Sequence, residues 1–198
     1  MSSTFSLEGK NAVVTGLSTG IGRAIAEALA REGANVAGDS QKVAAGAAIT
    51  QRVIEAHGRE ALSVQGSTED EAHIDDLADQ VVERWGSLDI WVNNAARIFV
   101  KPFIELESEE WHGLLAANLH GYMYGCRAAA RRMATQNSPG RIINITRQSD
   151  VQAISGMSAY ITAKGGINAM TRTLALELAP YDITVNAVSP GPTDTPLN

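Results

Sequence analysis

Asn11-Ala12-Val13-Val14-Thr15-Gly16-Leu17-Ser18-Thr19-Gly20-Ile21-Gly22 runs from a short apolar segment into three closely spaced glycines, and Ile21, Ile25, Ala28 and Leu29 then recur at helical spacing. Strand, glycine turn and helix, in that order, are what a phosphate-binding βα unit requires. Gly16 permits a tight turn, Gly20 lets the backbone approach a pyrophosphate, and Gly22 allows a helix to pack close to a strand. The helix N-terminus adds free N–H groups that favour an anion, so Gly16, Ser18, Thr19, Gly20, Ile21 and Gly22 are candidate phosphate contacts. The glycine spacing, three residues and then one, differs from the commoner G-x-G-x-x-G fingerprint. On its own, such a loop can also be no more than a turn.

Outward from this loop, apolar runs alternate with helical patterns along the chain. Strand candidates are Asn35 to Gly38, Ala61 to Gln65, Leu88 to Val92, Arg141 to Ile145 and Thr184 to Val188. Helices are expected near Lys42 to His57, Glu71 to Trp85, Ser108 to Gln136 and Ser158 to Ala179, with Ser108 capping a first turn that carries Glu109 and Glu110. Strands alternating with helices predict βαβ units, hence a doubly wound parallel sheet between two helix layers, in a single domain over residues 1–198. At 198 residues the chain can bury a substantial core without metals or cross-links.

Composition narrows the partners. With 44% hydrophobic and 19% charged residues the chain is of soluble globular type. A net charge of −6 argues against nucleic acid and against anionic membranes, which clustered Lys and Arg would serve. No apolar run approaches membrane-spanning length, and the N-terminus lacks the apolar core of a signal peptide. Cys126 is the only cysteine, so no intramolecular disulfide can form, and a cytoplasmic location is expected.

Tyr160-Ile161-Thr162-Ala163-Lys164 places a phenol and an ammonium four residues apart, on one face of an expected helix. A phenol titrating near pH ~10 exchanges protons poorly at neutral pH, and a neighbouring cation favours its phenolate. The pair is therefore a candidate acid/base couple, although Tyr and Lys at this spacing are often simple surface neighbours.

With these motifs in place, the chain resembles the short-chain dehydrogenase/reductase family from about Leu7 to Leu197. The family's glycine motif corresponds to Thr15 through Gly22. Its Asn-Asn-Ala-Gly motif corresponds to Asn93-Asn94-Ala95-Ala96, its helical asparagine to Asn118, its Tyr-x-x-x-Lys to Tyr160 and Lys164, and its Pro-Gly segment to Pro190-Gly191. The resemblance implies a Rossmann-type fold, NAD or NADP as cofactor, and interconversion of a small alcohol with its ketone or aldehyde. Tyr160 would move the proton, Lys164 would hold the nicotinamide ribose and depress the tyrosine pKa, and Asn118 would hold a water leading from Lys164 to solvent. Cofactor contacts are implied at Ser40, Asn94, Ala95, Tyr160, Lys164, Pro190, Gly191, Thr193 and Thr195 as well as the glycine loop.

The sequence departs from the family at several points. The serine usually found thirteen residues before the tyrosine is Arg147. Thr146 has the wrong strand parity to replace it, whereas Ser149 has the right parity. Arg147 could polarise a carbonyl from within the cleft, or turn to solvent and leave a crippled site. Ala96 replaces a motif glycine, and Ser67 stands where an aspartate is common. Ser40 occupies the position that is acidic in many NAD-preferring members, with Asp39 just before it and its facing undecided. The sequence stops at Asn198, where the family usually continues through a flexible substrate-binding segment and a seventh strand. That stop is expected to leave one site wall and one sheet edge missing, through a truncated chain, a lid supplied elsewhere or a degraded paralogue. Gly165-Gly166 within a helix, and Ala128 to Ala130 flanked by Arg127 and Arg131, would let partner helices approach in a homodimer or homotetramer. The alternative to an active oxidoreductase is a catalytically impaired member that binds nucleotide as a sensor or scaffold.

Overall fold

The computed structural model describes residues 5–41, 44–136, 138–148 and 153–195. Six strands form one parallel sheet: β1 (Asn11–Val14), β2 (Asn35–Ser40), β3 (Ala61–Gln65), β4 (Ile90–Asn93), β5 (Gly140–Ile145) and β6 (Ile183–Val188). Their spatial order is β3-β2-β1-β4-β5-β6. The chain winds outward in one direction through β3, then returns to the middle and winds the other way. The carboxyl ends of β1 and β4 therefore part at a topological switch point, the crevice where ligands bind in open α/β sheets.

Pleating sends alternate residues to opposite faces. Val13, Trp91 and Ile142 join Ile74, Leu77, Val81 and Met133 in one core layer, beneath α3 (Glu71–Trp85), α5 (Gly121–Met133) and α6 (Ser158–Leu178). Val14, Ile90 and Val92 join Ala26, Ala30 and Ile54 in the other, beneath α1 (Gly20–Arg31) and α2 (Ala44–Ala56). Three layers follow directly from strands that are apolar on both faces.

Local chemistry sets the element ends. The Asp70 carboxylate accepts the N–H groups of Ala72 and His73 at 3.0 and 3.4 Å to start α3, and Gly86 closes it at φ 82°. Before α4 (Ser108–Leu115) the capping position is Glu107, one residue earlier than expected, and its N–H is accepted by the Glu110 carboxylate at 3.0 Å. Leu88 falls outside β4 because its N–H and C=O bond the Gln136 side chain instead of a strand. Lys42, expected to open α2, lies outside the described residues.

Two sequence expectations need correction. The helix read as continuous from Ser108 to Gln136 is interrupted by a π-turn over Ala116–His120 and ends at Met133. Ala128 and Ala129 are buried against their own sheet, within the α3/α5 layer, so they are not available to a partner helix. Of the two helix glycines, Gly166 lies against the Leu119 side chain of its own chain, whereas a Cβ on Gly165 would meet nothing within 4 Å.

Candidate active site

The glycine loop is tied down at its root. The Thr15 hydroxyl at the end of β1 accepts the N–H groups of Asn94 and Ala95 at 2.9 and 3.1 Å, and the Asn94 amide donates back to Thr15 O at 2.9 Å. These bonds clamp the ends of β1 and β4 together just below the crevice. The Asp39 carboxylate accepts the Gly16 N–H at 2.7 Å, and the Arg23 guanidinium donates to Ser18 O. Thr19, at the head of α1, makes no side-chain cap bond, which leaves the first N–H groups of the helix directed at the crevice.

Space around the loop is set by its glycines. A Cβ on Gly22 would lie 2.3 Å from Gly16 O and 2.6 Å from the Asn94 amide nitrogen. Both neighbours belong to the clamp just described and cannot yield cheaply. Gly22→Ala is accordingly expected to destabilise the fold by roughly 1–3 kcal/mol and to abolish nucleotide binding, as read by thermal unfolding and by calorimetric titration.

A cleft of about 510 Å³ opens above these residues. All the cofactor contacts expected from the sequence line it: Gly16, Ser18, Thr19, Gly20, Ile21, Gly22, Ser40, Asn94, Ala95, Tyr160, Lys164, Pro190, Gly191, Thr193 and Thr195. At its far end the Ser40 hydroxyl is buried without a hydrogen-bond partner among the described residues. Asp39, whose facing the sequence left open, points one oxygen at the glycine loop and holds the other 3.5 Å from His73 Nε2. The carboxylate raises the His73 imidazole above its ordinary value against the opposing effect of burial.

The end of the cleft that holds the candidate acid/base pair is built on α6. Tyr160 and Lys164 face the cleft from successive turns, and Lys164 is only 1% exposed. Its Nζ donates to Ile145 O at 2.8 Å and to Tyr122 Oη at 3.0 Å, while Tyr122 Oη itself donates to Ile145 O at 2.9 Å. Nζ also lies 4.5 Å from the Tyr122 ring centroid and 5.7 Å from that of Tyr160. Burial lowers the ammonium from its ordinary 10.5 to about 7.

Lys164 is engaged by Tyr122 and Ile145, and a second cation, Arg147, also stands beside Tyr160. Burial raises the Tyr160 phenol above its ordinary value, and the opposing influence is Arg147. The Arg147 guanidinium lies over the Tyr160 ring, 5.9 Å from its centroid, and lines the cleft, so it has not turned away to solvent. Thr146 lines the cleft beside Arg147, but its hydroxyl is engaged toward β6. Its hydroxyl lies 2.7 Å from the Ser189 hydroxyl and donates to Val188 O at 3.3 Å. Ser149 lies outside the described residues.

Asn118 sits in the π-turn and is completely buried. Its carboxamide accepts the Arg97 N–H and donates to Arg97 O, both at 2.7 Å, so it splints the segment that leaves β4 along the cleft. Interrupted helices of this kind recur at functional sites because the extra residue re-aims side chains. Sequence reasoning missed Tyr122 and His73, since neither belongs to a local motif; each reaches its partner only through packing between distant elements.

The residues present fit a dinucleotide. A cradle that only glycine permits, an uncapped helix N-terminus and an unpartnered hydroxyl lie along one cleft at the switch point.

Comparison with known proteins gives a consistent picture. Residues 10–198 match the family model described as short chain dehydrogenase. The chain is 38% identical to 3beta-hydroxysteroid dehydrogenase 1 of Eggerthella lenta over 192 residues, covering 97% of this chain and 74% of that protein. It is 36% identical to the sorbitol dehydrogenase of Cereibacter sphaeroides over 188 residues, covering 95% and 72% of the two chains. A crystal structure of a short chain dehydrogenase from Burkholderia cenocepacia in complex with NADP superposes with a TM-score of 0.92 at 38% identity, covering 97% of this chain and 78% of that one.

Proposed function

The chain belongs to the short-chain dehydrogenase family, and on that premise we propose that it interconverts a small-molecule alcohol and its ketone or aldehyde with NAD or NADP as hydride partner. The observation that carries this reading is the continuous cleft joining the glycine loop to Tyr160 and Lys164. When bound, the nicotinamide exchanges a hydride with the substrate carbon.

Tyr160 gives a proton to the substrate oxygen in reduction and takes it back in oxidation. Burial keeps its phenol protonated at neutral pH, the form that reduction requires. An ammonium has three donors, and Lys164 spends two of them on Tyr122 and Ile145, leaving one for a cofactor ribose hydroxyl. Asn118 holds the cleft wall through Arg97, and the cleft-lining position of Thr193 and Thr195 supports their assignment as cofactor contacts. The Asp39 carboxylate accepts the Gly16 N–H with one oxygen and holds the other 3.5 Å from His73 Nε2, buried and without a hydrogen bond among the described residues. The described residues gather on one sheet, which supports a single dinucleotide-binding and catalytic unit.

The decisive experiment pairs calorimetric titration with NAD(H) and NADP(H) with an alcohol and ketone panel followed by nicotinamide absorbance. Saturable binding with turnover is the expected result. Binding without turnover on any substrate favours the sensor or scaffold alternative, and the absence of binding removes both. Light scattering on the same sample should show a homodimer or homotetramer, the assembly proposed here.

A further inference from the structure

The reacting end of the cleft carries a charge with no counter-charge among the described residues. Arg147 is half-buried there, against the Tyr160 ring, and forms no ion pair among the described residues. The other charged groups lining the cleft are accounted for. Glu69 is paired with Arg97 at 3.3 Å, Asp39 is engaged by Gly16 and His73, and Lys164 is held by Tyr122 and Ile145. A half-buried guanidinium without an acidic partner is costly to keep and is best satisfied by a planar anion, which its five donors match in pairs. The overall charge of −6 gives the protein no general attraction for anions, so this preference is local.

Position narrows what the anion can be. A group that meets Arg147 lies beside Tyr160, because the two side chains are in contact, so a substrate whose reacting oxygen reaches Tyr160 is placed to present it. From this we infer that the substrate is an oxo acid and its hydroxy-acid counterpart, with a carboxylate one or two carbons from the reacting carbonyl, and that Arg147 is the residue that selects it. The inference rests on the proposed oxidoreductase function. In reduction, the carbonyl carbon takes a hydride from the reduced nicotinamide and the oxygen takes a proton from Tyr160, while the carboxylate remains unchanged on Arg147. The Ile98 side chain lines the same cleft and offers apolar contact to the remainder of the substrate.

The test compares pyruvate and acetoacetate with methyl pyruvate and methyl acetoacetate, in the unmodified protein and in Arg147→Ser and Arg147→Lys. Either acid is expected to exceed its ester in kcat/KM by roughly 10²-fold, the discrimination that a charge-assisted pair supplies. Arg147→Ser should collapse the acid-to-ester ratio, and Arg147→Lys should retain part of it. A second reading needs no turnover: oxamate and malonate titrated into the NADP-saturated protein should bind, and that binding should be lost in Arg147→Ser. Esters used as well as acids would overturn the inference while leaving the oxidoreductase reading intact. It is overturned equally if Arg147→Ser leaves the carboxylate titration unchanged, or if it weakens NADP affinity with the acid-to-ester ratio preserved, since the guanidinium would then serve the cofactor. Should none of the four compounds turn over, the carboxylate titration decides this inference by itself, and the substrate panel decides the wider function.

Discussion

Tyr160→Phe is expected to lower kcat/KM by about 10²–10⁴-fold, the range that a positioned general acid contributes, while leaving nucleotide affinity and the fold almost unchanged. The ring packs with Leu114, Met157, Ala159 and Ala163, and all of those contacts survive removal of a single oxygen. The loss therefore falls on proton transfer alone. Its pH dependence is a sharper test. Burial raises the phenol above its ordinary 10.0, so reduction, which needs the protonated form, should run level through neutral pH. Oxidation needs the phenolate and should rise with pH across the same range. Steady-state rates in both directions between pH 6 and 10 check this, and a loss below about tenfold in the Phe variant would remove Tyr160 from its assigned role. Pairing Tyr160→Phe with Lys164→Met should cost little more than the worse single change, because residues acting on one step are not additive.

Much of this site was legible in the sequence for a physical reason. Strand, glycine loop and helix are local features, and Asn11 to Gly22 encodes all three through hydrophobic period and glycine placement. The alternation of strand and helix likewise fixed a parallel sheet with helices on both faces. What the sequence could not show depends on contacts between distant segments. The π-turn at Ala116–His120 leaves the apolar spacing of the surrounding helix intact, so periodicity reads straight through it. Asp39 turns toward Gly16 because of the pleat and twist at the end of β2, and its own neighbours in the sequence do not report that. Ala128 and Ala129 look like an approach surface only until the inner face of α5 is known. Arg147 was visible as a departure from the family pattern, but its choice between cleft and solvent was made by the packing around Tyr160.

Lys164→Met is expected to abolish detectable turnover and yet to stabilise the nucleotide-free protein at neutral and mildly acid pH. Burial depresses the ammonium from 10.5 to about 7, at roughly 1.4 kcal/mol per unit. Between those two values the unfolded chain holds a proton on this group that the folded chain releases. Unfolding then costs more as pH rises, and the wild-type fold gains stability through this window. Below about pH 7 both states are protonated, and the full cost of a buried charge is felt. Methionine removes that cost while filling similar space, and Tyr122 keeps its own bond to Ile145 O. Urea unfolding at pH 6.5 and at pH 9 should therefore show a wild-type gain that the Met variant lacks. Because every other titrating group is common to both proteins, the difference between the two slopes isolates Lys164, and parallel slopes would mean that its charge is not desolvated. A group that weakens the empty fold is kept where a bound dinucleotide would use its remaining donor, so binding should stabilise the wild type more than the Met variant at every pH where the lysine is charged.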